Sequence, residues 1–149
     1  MELIRQHVSI FPGVCELIRL AATHYPLAIA SGSLRPQIEH IIEKAGIGDA
    51  FAHISSAEDI RQGKPDPEIF LHALTGLNRG AALDEPIVPA DCLVIEDSRP
   101  GVRAARAAGM KVLAVTNTHP ADELQEADAI VGSLAGVNLV QLKRQLWAP

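Results

Sequence analysis

Cys92-Leu93-Val94-Ile95-Glu96-Asp97-Ser98-Arg99-Pro100 is the stretch whose reading decides the fold. Its first four residues are apolar without any polar alternation, which describes a short strand buried on both faces, as in a parallel sheet covered by helices. Ser98 is a good helix cap and Pro100 suits a first helical turn, so a helix follows the strand at once. That helix stops at Gly109, and residues 112–115 read as the next strand. A short helix over 121–126, a strand over 129–131 and a last helix over 137–146 complete the C-terminal side.

Toward the N-terminus the same alternation continues. Val14, Leu17, Ile18 and Ala21 recur at helical spacing within residues 13–24, and Leu27-Ala28-Ile29-Ala30 follows as a buried strand. Ser31-Gly32-Ser33 makes a turn, and Ile38, Ile41, Ile42 and Ala45 form a helix face closed by Gly46. Residues 52–55 read as a strand, 61–67 as a loop punctuated by Gly63, Pro65 and Pro67, 68–77 as a helix, and 80–91 as an irregular connection. Strands alternating with helices imply right-handed crossovers and a mostly parallel sheet with helices on both faces. With 149 residues, no linker and no repeat, the chain reads as one domain.

Composition agrees. The hydrophobic fraction is 48% and the charged fraction 21%, which excludes a disordered chain. Aromatics make up only 3%, so the core is built from Ala, Val, Ile and Leu. The net charge of −5 and the scattered Lys and Arg give no footprint for nucleic acid. No apolar run is long enough to span a membrane, and the expected location is cytoplasmic. Cys15 and Cys92 are too few for a disulfide framework, and the six His share no ligand-like spacing, so no His-based metal site is expected.

In an open parallel sheet, ligands bind beyond the carboxyl ends of the strands. After the first strand stands Ser31-Gly32-Ser33, two hydroxyls around a permissive Gly. Such a turn cradles phosphate, or Ser33 simply caps the next helix; capping is the simpler reading of the tripeptide alone. After the second strand comes Gly63-Lys64-Pro65-Asp66-Pro67, a stiff loop that aims one ammonium, although a solvated Lys would look the same. After the strongest strand come Glu96 and Asp97, adjacent carboxylates whose repulsion a hard cation would relieve, unless Asp97 or Ser98 merely caps the helix. The order is the stronger signal: hydroxyl turn, rigid Lys and acidic pair follow successive strands of one sheet.

These three segments, with Gly101 and Ala107-Ala108-Gly109-Met110, resemble the second, third and fourth motifs of haloacid dehalogenase-like hydrolases. The nearest branch is similar to the beta-phosphoglucomutases and phosphoglycolate phosphatases, over nearly the whole chain from Phe11-Pro12-Gly13-Val14 onward. The resemblance implies a three-layer Rossmann-like α/β core and Mg²⁺-dependent phosphoryl transfer on a small phosphorylated metabolite. It implies that Ser31 and Lys64 serve catalysis, that Ser31, Gly32, Ser33 and Lys64 hold phosphate, and that Glu96 and Asp97 hold Mg²⁺.

One motif is absent. The family begins with an Asp-x-Asp whose first Asp attacks phosphorus and whose second acts as general acid and base. The eight Asp of this chain stand at 49, 59, 66, 84, 91, 97, 122 and 128, and no two are separated by two positions. The family's cap domain is not seen either. The chain is therefore expected to be an incomplete and inactive part of an enzyme; the alternative is a non-catalytic phosphate- or Mg²⁺-binding module acting with a partner chain. In the family the nucleophile strand lies between those here placed at 27–30 and 92–95. Its absence would leave a gap of roughly 9–10 Å, two strand spacings. Residues 7–11, another N-terminal segment, a second copy of the chain or a separate polypeptide is expected to fill it.

Overall fold

A computed structural model of the chain describes residues 13–80 and 84–147. Its elements follow the expected order: α1 Val14–Ala22, β1 Ala28–Ala30, α2 Arg35–Lys44, β2 His53–Ser55, α3 Glu68–Gly80, β3 Leu93–Glu96, α4 Arg99–Ala107, β4 Lys111–Val115, β5 Ala129–Val131 and α5 Leu139–Trp147. The expected short helix over 121–126 is a single 3₁₀ turn, Ala121–Glu123. β3 extends one residue past the apolar run, so Glu96 is its last residue and not the first of the following loop.

All ladders are parallel, and they form two pieces. β1 pairs with β2, Ala28 opposite His53, while β3, β4 and β5 form a second sheet in that order. Among the described residues no ladder joins β1 to β3, so these two strands do not close on each other. Residues 7–11, expected as one possible filler of that place, lie outside the described residues.

The side chains of each strand divide between two cores, as the pleat requires. Ile29, Leu113 and Val115 pack with Val14, Leu17 and Ile18 of α1, Ile38, Ile41 and Ile42 of α2, and Leu142 of α5. Ala30, Val94, Val112 and Ala114 pack with Ile69, Phe70, Ala73 and Leu74 of α3 and with Val102, Ala104 and Ala105 of α4. Helices thus cover both faces. Each fully buried Leu, Val or Ile contributes about 1.5–3 kcal/mol to that arrangement. β4, central in its sheet, is buried from Val112 to Val115, whereas Leu93 and Ile95 on β3 are only half-buried.

α4 sits directly behind the site, and its ends are well defined. The Ser98 hydroxyl accepts from the Gly101 N–H at 3.1 Å, satisfying a donor that the first turn leaves without a partner. At the other end Gly109 takes φ +82°, and Met110 N–H closes onto Ala105 O at 3.0 Å. A side chain at Gly109 would be strained there, which is why the helix stops on a Gly.

Candidate active site

The carboxyl-terminal ends of β1 and β3 meet around Lys64. Its loop is held from within: Asp66 N–H reaches Gly63 O at 3.1 Å, and the Asp66 carboxylate caps α3 by accepting from Glu68 N–H. Glu68 reaches back, its two oxygens accepting from Arg61 and Gln62 N–H at 2.8 and 3.1 Å. The Lys64–Pro65 bond is cis. The loop so fixed lays the Lys64 side chain inward over the Phe70 ring, 4.9 Å from its centre. Its ammonium donates to Ala30 O, the end of β1, at 3.3 Å and to Glu96 Oε2, the end of β3, at 3.0 Å. Lys64 is therefore a buried bridge between the two sheets, not a solvated loop side chain.

Glu96 is fully buried. Besides Lys64 on Oε2, its Oε1 accepts from Asp97 N–H at 3.1 Å and Ser98 Oγ at 3.2 Å. Gly101 makes this possible, because a Cβ there would run into the Glu96 carboxyl. Asp97, 5% exposed, does no capping. Its Oδ2 accepts from the Thr118 hydroxyl at 3.1 Å, with its own carbonyl at 3.4 Å from the same hydroxyl. No hydrogen bond is made to its other oxygen, Oδ1, among the described residues.

Just after β1 the Ser31 N–H donates to Ser55 O at 3.0 Å, tying the turn to β2. The buried Ser31 hydroxyl accepts from Ser33 N–H at 3.1 Å. Ser33 does not cap α2. That helix starts at Leu34, whose N–H is taken by the Gln37 side chain at 3.1 Å. The hydroxyl turn thus has no structural duty toward the helix behind it, and Gly32 at its tip is exposed.

Ser31, Lys64, Glu96 and Asp97 accordingly share one edge of the sheets, as their order along the chain implies. Sequence reasoning missed Thr118. The signal was present in Val115-Thr116-Asn117-Thr118, another hydroxyl-rich run leaving a buried strand. It also missed a second polar cluster, in which Ser55 Oγ lies 3.1 Å from His53 Nε2 and 2.6 Å from His72 Nδ1. Burial, then the His72 and Arg35 charges, hold His53 below its usual 6.5, against the pull of Asp59. That cluster borders a separate cleft of about 420 Å³ with Thr75 and Arg79.

Among the described residues no three His, Cys, Asp or Glu side chains form a ready-made metal cage. Mg²⁺ does not require one, since it binds through one or two carboxylates and keeps several waters. Asp97, with one carboxylate oxygen uncommitted, meets that demand in part.

The family model described as haloacid dehalogenase-like hydrolase matches residues 1–109. The chain belongs to the haloacid dehalogenase-like hydrolase family. It is 40% identical over 135 residues to the bifunctional riboflavin kinase/FMN phosphatase of Arabidopsis thaliana, covering 89% of this chain and 34% of that protein. It is 36% identical over 126 residues to protein CbbY of Rhodobacter capsulatus, covering 81% of this chain and 52% of CbbY. The crystal structure of beta-phosphoglucomutase from Clostridium difficile superposes with a TM-score of 0.78 at 27% identity, over 92% of this chain and 56% of that one. The chain thus spans between about a third and a little over half of these relatives' lengths. Relatives of the chain in this family include phosphatases and mutases that act on phosphorylated metabolites.

Proposed function

We propose that this chain supplies the phosphate-holding and cation-holding half of a phosphoryl-transfer site acting on a small phosphorylated metabolite, of phosphatase or sugar-phosphate mutase type. The observation that carries the reading is the convergence of Ser31, Lys64 and the Glu96–Asp97 pair at the carboxyl ends of β1 and β3, with Lys64 touching both strands. The Ser31 hydroxyl, the Gly32 N–H and the Ser33 hydroxyl bind the phosphoryl oxygens, with the Ser33 N–H orienting the Ser31 hydroxyl. Lys64 neutralises their charge, moving onto the ligand from Glu96. Asp97 would hold Mg²⁺, with Glu96 adding negative charge from behind. A bound Mg²⁺ supplies charge neutralisation for the transferring group, which together with positioning provides most of the rate in such chemistry.

The 149 residues contain no Asp-x-Asp. The attacking carboxylate then has to arrive on another segment or chain, at the ends of β1 and β3 that Lys64 bridges. Without it, Lys64 and the cation only polarise phosphate. The 149-residue chain should therefore hydrolyse p-nitrophenyl phosphate with Mg²⁺ no faster than its Lys64→Ala variant. Inorganic phosphate should nevertheless shift the amide resonances of residues 31–33, and less so in Lys64→Ala. Turnover that depends on Lys64 would reveal a nucleophile within the chain, and unshifted amides would remove the phosphate site.

A further inference from the structure

Thr118 touches one oxygen of the Asp97 carboxylate and leaves the other uncommitted. Its loop is not free to take another position. Three arginines spaced along α4, the helix that starts just after Asp97, grip the segment that follows Thr118. Arg99 Nε donates to Glu123 O at 3.1 Å, Arg103 pairs with Glu126 at 2.9 Å, and Arg106 pairs with Asp128 at 3.0 Å. Asp128 also accepts from Val112 N–H at 2.8 Å, and Leu124 is fully buried between these points. On the other side Thr116 N–H is held by Val131 O at 3.0 Å. Single exposed ion pairs contribute little, but two of them with the Arg99 hydrogen bond and a buried Leu fix where the loop lies.

We infer that Thr118 is a positioning residue that makes Asp97 a one-oxygen ligand, and so biases the site toward Mg²⁺ over Ca²⁺. A hydroxyl proton directed at Oδ2 draws on the electron density that a cation would need from that oxygen. It also resists the rotation that would present both oxygens together. Mg²⁺ demands near-ideal octahedral geometry and loses nothing by binding Oδ1 alone. Ca²⁺, with six to eight longer contacts, gains from bidentate carboxylates, and Thr118 withholds that gain. The inference rests on the reading of Asp97 as the cation-holding carboxylate.

The test is a pair of titrations, Mg²⁺ and Ca²⁺ alone, followed by the amide resonances of residues 96–98 and 118 in the 149-residue chain. The variants are Thr118→Val, Thr118→Ser and Asp97→Asn. Thr118 is exposed, so its replacement leaves the core untouched. Thr118→Val should lower the Mg²⁺:Ca²⁺ affinity ratio by about fivefold, mainly through tighter Ca²⁺, while Thr118→Ser, which keeps the donor, should stay near wild type. A merely structural role would weaken both cations together and leave the ratio unchanged. That result, with Asp97→Asn abolishing both, would overturn the inference alone. Binding unchanged in Asp97→Asn would instead remove the reading of Asp97, and this inference with it.

Discussion

Replacing Gly101 by Ala sets two effects against each other, and the structure decides between them. Gly101 is helical, in the first turn of α4, and Ala is favoured over Gly inside a helix by about 1 kcal/mol. Against this, the new Cβ would occupy space already held by the Glu96 carboxyl. That carboxyl has no room to retreat, being fully buried and held by Lys64, Asp97 N–H and Ser98 Oγ. Overpacking a filled site costs about 1–3 kcal/mol. If Glu96 is pushed off Lys64, breaking the buried pair costs about 3–5 kcal/mol. With the helix gain subtracted, the expected outcome of Gly101→Ala is a net loss of about 2–4 kcal/mol where Glu96 is pushed off Lys64, a large share of the roughly 5–15 kcal/mol typical of a domain. With a urea slope of about 1–3 kcal/mol per molar, the unfolding midpoint should drop by about 1 M or more. Gly80→Ala is the control, because a Cβ there meets nothing within 4 Å. It should be neutral or mildly stabilising. A Gly101→Ala midpoint at or above wild type would refute the claim that Glu96 is pinned.

Lys64→Met should cost about 3–5 kcal/mol by leaving Glu96 buried without its cation, and the double variant Lys64→Met/Glu96→Gln should recover much of that loss; a double-mutant cycle in urea with no coupling would contradict the bridge. For pH, His53 binds its proton less readily in the folded chain than in the unfolded one, so the unfolded state takes up more protons below 6.5. Stability present above pH 6.5 should therefore fall as the pH is lowered below 6.5, and the drop should shrink in His53→Gln. Asp59 does not interfere, since the bond from Ser56 N–H holds its carboxyl below 3.8 and its contribution is lost only at more acid pH.

What could be read from the sequence was whatever local chemistry enforces. Val94 and Val112 announce their strands because apolar runs bounded by turn residues have few other uses, and Ser98 announces α4 because its hydroxyl sits one residue before the first turn. Glu96 shows the limit of that reading. Its place beside Asp97 suggested a loop carboxylate facing a cation, yet it ends a strand, and its charge is met by a lysine 32 positions earlier. No local signal announces that pairing, because it depends on the packing of a loop against a distant strand. His53 and His72 escaped for the same reason. They share no ligand spacing, and they meet, rings 5.5 Å apart, only because β2 lies against α3.

The division of the sheet gives the Lys64–Glu96 pair its particular meaning. A buried ion pair is weak support for stability, because desolvating both charges offsets most of their attraction, and a hydrophobic pair would often do as well. What a hydrophobic pair could not do is release. Lys64 holds Ala30 O and Glu96 at once, across the edges of two strands that share no ladder among the described residues. On the reading proposed above, a phosphate bound at the ends of β1 and β3 competes with Glu96 for the same ammonium. The side chain needs only to swing, since Glu68 and Asp66 keep its loop in place while it does. The pair thus keeps the lysine neutralised at the mouth of the sheets, and on the proposed reading a bound phosphate takes it over.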